Sequence, residues 1–192
     1  GWSSGVLLRE IAAVYPALLQ GQVPSLPPLV IDFADFAHWQ RRVLRGDALA
    51  NQLGFWKHTL AGLEPLPLPF DRPRRGENTG RGARVSAQFA PQTLNALKAF
   101  AVEHGVTPYM ALLACFQLLL ARHCDTTDVA VGTPIANRTH VESEHLVGTL
   151  VNTVVMRTDL AGDPTFAELL ERVRETALHA YAHQDLPFEA LV

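Results

Sequence analysis

The stretch YMALLACFQLLLA, running from Tyr109 to Ala121, constrains this chain more than any other. It is apolar on every side of a helix, with Gln117 as its interruption, and such a helix needs cover on all faces. A bilayer takes about 20 apolar residues to cross, so the stretch is read as a buried core helix. Thr107, with Pro108 at the first helical position, launches it, because proline there forfeits an amide that has no helical partner anyway. The rest of the chain must supply what covers it, and an apolar fraction of 48% is enough to do so.

Helices and strands are mixed on either side. Leu7, Ile11, Val14 and Leu18 form one stripe of a first helix, for which Ser3 or Ser4 is the expected cap. Pro16 lies inside that stripe and is expected to kink or shorten the helix. Gly21 ends it at the latest, before the proline-rich VPSLPPL. Asp32 starts a short helix with Phe36, Trp39 and Val43 on one face. Asp47 starts another, with Leu49, Leu53, Trp56 and Leu60 at helical spacing and Gly62 as its stop. From Leu63 to Gly82, EPLPLPFDRPRRGENTGRG predicts an exposed connector. GARVSAQFA alternates Ala83, Val85, Ala87 and Phe89, the pattern of a half-buried strand.

A helix is expected from Pro91 to His104, ended by Gly105. VAVGTPI and LVNTVVMRTDL read as two further strands. Asp163-Pro164 opens a last long helix with Phe166, Leu169, Leu170 and Val173 inward, and Asp185 is placed to cap a helix begun at Pro187. There is no strict βαβ alternation and no internal repeat. The fold class is therefore mixed α/β, a layered sheet with helices packed on it.

Charge and cysteine content exclude several roles. Net charge is −3, and the densest basic patch, RPRR at 72–75, sits in a Pro/Gly loop without interleaved aromatics. Nucleic acid is not an expected partner, because phosphate binding needs concentrated positive charge. Cys115 and Cys124 form no CxxC, so neither a disulfide framework nor a zinc set is expected, and the reading is a reducing cytoplasm. No span of a membrane is expected, and neither GxGxxG nor GxxxxGK[ST] offers a nucleotide cradle.

His179 and His183 stand four apart on the last helix. HAYAH lacks the Glu that a metalloprotease helix needs after its first His, and no third ligand lies nearby, so no metal is expected. His183-Gln184-Asp185 reads either as a base with its carboxylate or as an anchored turn with Asp185 as a cap. The turn is preferred because no nucleophile accompanies it. Asn152 and Thr153 interrupt an apolar strand. A buried amide must find partners, so the pair is either a structural clasp or the lining of a channel. Arg138 and Arg157 read as loop anchors or as solvent-facing residues. From these residues alone no catalytic set assembles.

Five stretches taken together resemble the condensation domain of nonribosomal peptide synthetases. That family carries HHxxxDGWS, and this chain opens with Gly1, Trp2 and Ser3. It carries YxD[FY]xxW, matched by FADFAHW from Phe33 to Trp39, with Phe33 where Tyr is usual. It carries [IV]GxFVNTxxxR, matched by VGTLVNTVVMR from Val147 to Arg157, with Leu150 where Phe is usual. [HN]QDxPFE is matched from His183 to Glu189, and GTPIANR from Gly132 to Arg138 is also similar.

The resemblance implies a chloramphenicol acetyltransferase-like fold of two similar lobes with a tunnel between them. Residues 1–63 are expected to be the end of the N-terminal lobe and crossover helices, and 64–192 an incomplete C-terminal lobe. The family's catalytic His lies five positions before Gly1, so the chain is expected to begin just after the active-site motif and to be inactive alone. The implied reaction is amide formation. The amine of an acceptor aminoacyl thioester attacks the carbonyl of a donor acyl or peptidyl thioester, each on the phosphopantetheine arm of a carrier protein.

No cofactor is expected to bind the chain directly, and carrier and adenylation domains of the same synthetase are the implied partners. By residue, the Gly1 backbone amide is expected near the reacting carbonyl, as an oxyanion donor is. Ser3 would fix that loop, and Asn152 would line the tunnel and orient the base or the substrate. Trp39, Arg157 and His183 to Glu189 are implied to be structural. The alternatives within the fold are an ester-forming acyltransferase and a non-catalytic domain that recruits partner proteins.

Overall fold

Local chemistry sets most helix boundaries in the computed structural model, which describes residues 1–71, 80 and 82–191. The RPRR patch at 72–75 and the centre of the expected connector fall outside those residues. The chain divides into two compact units, one of Gly1–Thr59, Gly132–Val154 and His183–Val192, the other of Leu60–Val131 and Val155–Ala182.

In the first unit, α1 spans Trp2–Leu19, α2 Phe33–Val43 and α3 Gly46–Thr59. Gly1, not Ser3 or Ser4, is the N-cap of α1, and no side chain caps it. The physical reason is that the Ser3 hydroxyl is already bonded to Gly148. Pro16 is accommodated within α1, which continues to Leu19. The helix then ends in a Schellman turn: Gly21 has φ +68°, its amide bonds Leu18 O, and Gln22 N bonds Ala17 O; glycine takes that φ without a Cβ penalty. Asp32 and Asp35 exchange bonds across the start of α2 as a reciprocal capping box. Phe36 is buried with Leu146 and Leu150, and Trp39 and Ile31 pack against that cluster. Val43, expected on the same inward face, is exposed.

In the second unit, α4 (Pro91–Glu103) and α6 (Phe166–Ala182) pack on α5 (Pro108–Cys124). Met110, Ala111, Leu113, Ala114 and Gln117 turn inward from α5, and Leu169, Leu170, Val173 and Ala177 from α6. Full burial of a Leu- or Met-sized side chain stabilises by about 1.5–3 kcal/mol. The interruption at Gln117 has a purpose: its Nε2 donates to Val129 O at 3.4 Å and Met156 O at 2.9 Å. Strands β1 (Asp128–Ile135) and β2 (Asn152–Asp159), each with residues assigned to both units, form a two-stranded sheet. Asp128 meets Arg157 and Gly132 meets Thr153, so they run antiparallel.

The mixed α/β class holds, with four further corrections. The first is α5, which is not buried all round: Leu112, Phe116 and Leu119 stay about half exposed, because its packing partners cover only one side. GARVSAQFA is no strand and lies exposed. Alternation gives a strand its two faces, but a ladder needs a neighbour, and none pairs with it among the described residues. Phe166 is exposed rather than inward, resting 6.1 Å from Phe100, ring to ring. Asp185 caps nothing. The short 3₁₀ turn Phe188–Ala190 has Pro187 before it, and the amide of Phe188 is taken by Asn152.

Candidate functional site

Three of the sequence motifs meet around one residue of the first unit, Gly148. Ser3 Oγ donates to Gly148 O at 2.8 Å and accepts from Gly148 N at 3.1 Å, holding both backbone groups of that residue. Arg138 Nη2 donates to the same hydroxyl at 3.1 Å, and its Nη1 donates to Ser143 O. The guanidinium also lies 5.7 Å from the centre of the Trp2 ring, within cation–π range. Trp2 Nε1 in turn donates to Glu144 O at 2.9 Å. Gly1, Trp2 and Ser3 are thus tied to the loop 138–148 by side chains from both partners. Burial lowers the pKa of Arg138 from its ordinary value.

Beside this junction opens a cavity of about 430 Å³, lined by Gly1, Trp2, Ser3, Pro134, Ile135, Ala136, Arg138 and Gly148 to Val151. Most of its wall is aliphatic. At the end formed by Gly1 to Ser3, α1 begins with no side-chain cap. The first amides of a helix carry partial positive charge, so this end suits an oxygen on which negative charge develops. Gly1 and Ser3 therefore share one cavity. Asn152 does not line it, although its neighbour Val151 does.

Asn152 is buried and bonded at every available position. Nδ2 donates to Gln184 O and Leu186 O, both at 2.8 Å, while Oδ1 accepts from Thr153 N at 2.8 Å and Phe188 N at 3.0 Å. The side chain is a clasp on the segment His183–Glu189. α3 grips the same segment, with Trp56 Nε1 donating to His183 O at 2.8 Å and the Phe55 ring stacked on His183 at 3.7 Å. His183-Gln184-Asp185 is accordingly an anchored turn.

In the second unit Arg157 pairs with Asp128 through two bonds, Nε to Oδ1 at 2.9 Å and Nη2 to Oδ2 at 2.6 Å, and Nη1 reaches Ala61 O. The bond from Arg157 holds the Asp128 carboxyl below its ordinary pKa, against a smaller opposing effect of burial. His179 lies exposed on α6. No group of three or more His, Cys, Asp or Glu among the described residues could hold a metal ion. No single helix among them is long and apolar enough to cross a membrane.

Sequence reasoning points to Gly1, Ser3 and Asn152, but it misses Gly148 and leaves Arg138 undecided. Gly148 stands as the Gly of VGTLVNT, but nothing in the sequence pairs it with Ser3, 145 positions away. Arg138 carries a signal in its place at the end of GTPIANR.

Comparison with known proteins gives the family. The family model of the condensation domain matches residues 1–192. A linear gramicidin synthase chain of Brevibacillus parabrevis is 51% identical over 193 aligned residues, covering 100% of this chain and 4% of that protein. Among solved structures, the X-domain from teicoplanin biosynthesis, determined in complex with OxyB, superposes with a TM-score of 0.86 at 32% identity, over 99% of this chain and 43% of that one. The first condensation domain of the calcium-dependent antibiotic synthetase, in complex with a substrate analogue, superposes with a TM-score of 0.74 at 22% identity, over 100% of this chain and 42% of that one. The chain thus spans a small part of that synthase and less than half of each structural neighbour.

Proposed function

This chain belongs to the condensation-domain family, with the chloramphenicol acetyltransferase-like fold of its neighbours, and we propose that it serves in amide formation between two carrier-bound thioesters. The amine of the acceptor aminoacyl group attacks the donor carbonyl, the thiolate of the donor arm leaves, and the attacking nitrogen gives up a proton. The observation that carries this reading is the junction at Gly148. Ser3 holds the Gly1 end of α1 and the loop of VGTLVNT together at the mouth of an aliphatic cavity.

Each residue then has a role that its geometry supports. The amides at the start of α1 face the oxygen of the tetrahedral intermediate, where such donors stabilise developing charge. Ser3 and Arg138 keep that end of the helix against Gly148. Asn152 acts at one remove, by holding the turn at His183–Glu189. In the family pattern the proton-accepting imidazole is that of HHxxxD, and a positioned base of that kind is worth about 10²–10⁴-fold. The phosphopantetheine arms of the carriers bring the substrates, and aligning two tethered reactants supplies a further part of the rate. The division of the domain near residue 63 and the partnership with adenylation and carrier domains belong to the same proposal.

A second reading is a domain of this fold that recruits a partner and does no chemistry. The likeness to the teicoplanin X-domain, solved with OxyB bound, supports it. Dipeptidyl-carrier formation separates the two. With loaded donor and acceptor carriers, the full domain containing this chain yields dipeptidyl-carrier while residues 1–192 alone do not. Turnover by residues 1–192 alone refutes the need for an upstream base. A full domain that binds partners without forming product favours the recruiter.

A further inference from the structure

Phe33 and Gly148 approach more closely than any side chain at 148 would allow. A Cβ built on Gly148 would stand 2.5 Å from Cδ2 of Phe33, 3.0 Å from Cε2 and 3.1 Å from Cγ. Gly148 is not among the glycines with positive φ, so room, rather than backbone freedom, demands glycine there. Both its backbone groups are meanwhile held by Ser3. The loop is therefore pinned by two hydrogen bonds and braced by an aromatic ring.

Phe33 is itself firmly placed. It is the first residue of α2, whose start is fixed by the Asp32–Asp35 capping box. One turn on, Phe36 is buried with Leu146 and Leu150, the residues that flank Gly148 on either side. A brace is only as stiff as its mounting, and this one is mounted on a capped helix rooted in the core. Gly148, Thr149 and Leu150 form one wall of the cavity beside Gly1 and Ser3.

We propose that Phe33 is a specificity-determining positioning residue: its ring fixes how far the Gly148–Thr149 wall stands into the cavity, and so the size of the apolar substrate group accepted there. This rests on reading the cavity as the condensation site. The group accepted is the aliphatic side chain of an aminoacyl or acyl thioester, because Ile135, Leu150 and Val151 line the space it would fill. Removing the ring lets the wall recede and favours larger groups. Adding a methyl at 148 forces ring and wall apart and disfavours them.

The test uses the full condensation domain containing this chain, with alanyl- and leucyl-carriers run in turn as donor and as acceptor. Phe33→Ala is expected to shift the leucine-to-alanine ratio of kcat/KM on the order of 10-fold toward leucine in one of the two positions, the discrimination that small changes of pocket size produce. Leu170→Ala, in the buried core of the second unit, lowers stability without shifting the ratio. A Phe33→Ala ratio equal to wild type in both positions overturns the proposal. So does an equal shift from Leu170→Ala.

A second measurement does not depend on turnover. Gly148→Ala is expected to lower the Tm of the full chain by roughly 3–8 °C, from the usual cost of overpacking. In the Phe33→Ala background that loss should fall below half. Equal losses in both backgrounds overturn the brace. A wild-type domain that makes no amide from any pair overturns the functional reading and the size gauge with it, while the Tm cycle still judges the contact alone.

Discussion

Replacing Asn152 by Asp keeps the size and shape of the side chain but turns the donating Nδ2 into an acceptor oxygen facing two carbonyls. When ionised, it also adds a buried charge whose cost comes on top of the lost bonds. Oδ1 still accepts from Thr153 N and Phe188 N, but the two bonds from Nδ2 to Gln184 O and Leu186 O are lost. Each lost bond is worth about 1 kcal/mol net, and a stranded buried carbonyl costs about 1–3 kcal/mol. The Leu186 bond is buried and bears that second cost in full, whereas the part-buried Gln184 carbonyl can turn to water. The total before any charge cost is about 3–5 kcal/mol. With about 2–4 °C of Tm per kcal/mol for a chain of this size, Tm should fall by roughly 6–20 °C. Urea unfolding measures the first quantity. Hydrogen exchange at 184–188 locates the damage, which should appear as faster exchange in that segment before global unfolding. An Asn152→Asp chain as stable as wild type, with 184–188 equally protected, would refute the clasp and return Asn152 to the role of a group free to meet substrate.

Two further substitutions probe the other anchors. Asp128→Asn removes the charge facing Arg157; the carboxylate is 38% exposed, so the screened cost is about 1 kcal/mol at neutral pH. The folded-state pKa of Asp128 is depressed, so this contribution is present above the unfolded value near 3.9 and is lost as pH falls through the folded value. Urea unfolding of the two proteins should therefore differ at pH 7 and converge in acid below about pH 4; a difference that grows in acid contradicts the pairing. Ser3→Ala removes the hydroxyl shared by Gly148 and Arg138 and should cost about 1–3 kcal/mol by the same measurement, with the amide of Gly148 exchanging faster; an unchanged Gly148 amide contradicts the junction.

Helix starts and stops are legible in the sequence wherever one residue's chemistry decides them. Asp32, Thr107, Gly21 and Gly105 act through local backbone geometry, and each stands at the boundary expected of it. Burial is less legible. YMALLACFQLLLA states that α5 is apolar all round, but how much of it is covered depends on α4 and α6, which pack on one side. GARVSAQFA fails for the same reason, since alternation says nothing about whether a partner strand is there. At the site, the polar pair at Asn152 advertises a buried amide without saying whose backbone it holds. The answer lies 32 to 36 positions away. Ser3 looks like a cap because caps are local, whereas its real partners, Arg138 and Gly148, are 135 and 145 positions distant. Asp185 loses its expected task to Asn152, a competition between side chains that no single stretch reveals.

The central claim is that the cavity beside Gly1, Ser3 and Gly148 is where the carrier's arm delivers its thioester. Thr149 lines that cavity, while Val23 is 92% exposed and does not. In the full domain, Thr149→Cys and Val23→Cys can each be offered a carrier whose phosphopantetheine ends in a haloacetyl group, and the alkylated protein counted by mass spectrometry. Labelling should be faster at 149 than at the more open position 23, with the excess abolished when the same haloacetyl group is supplied free of the carrier. Equal labelling at the two positions, or faster labelling at 23, would contradict the claim.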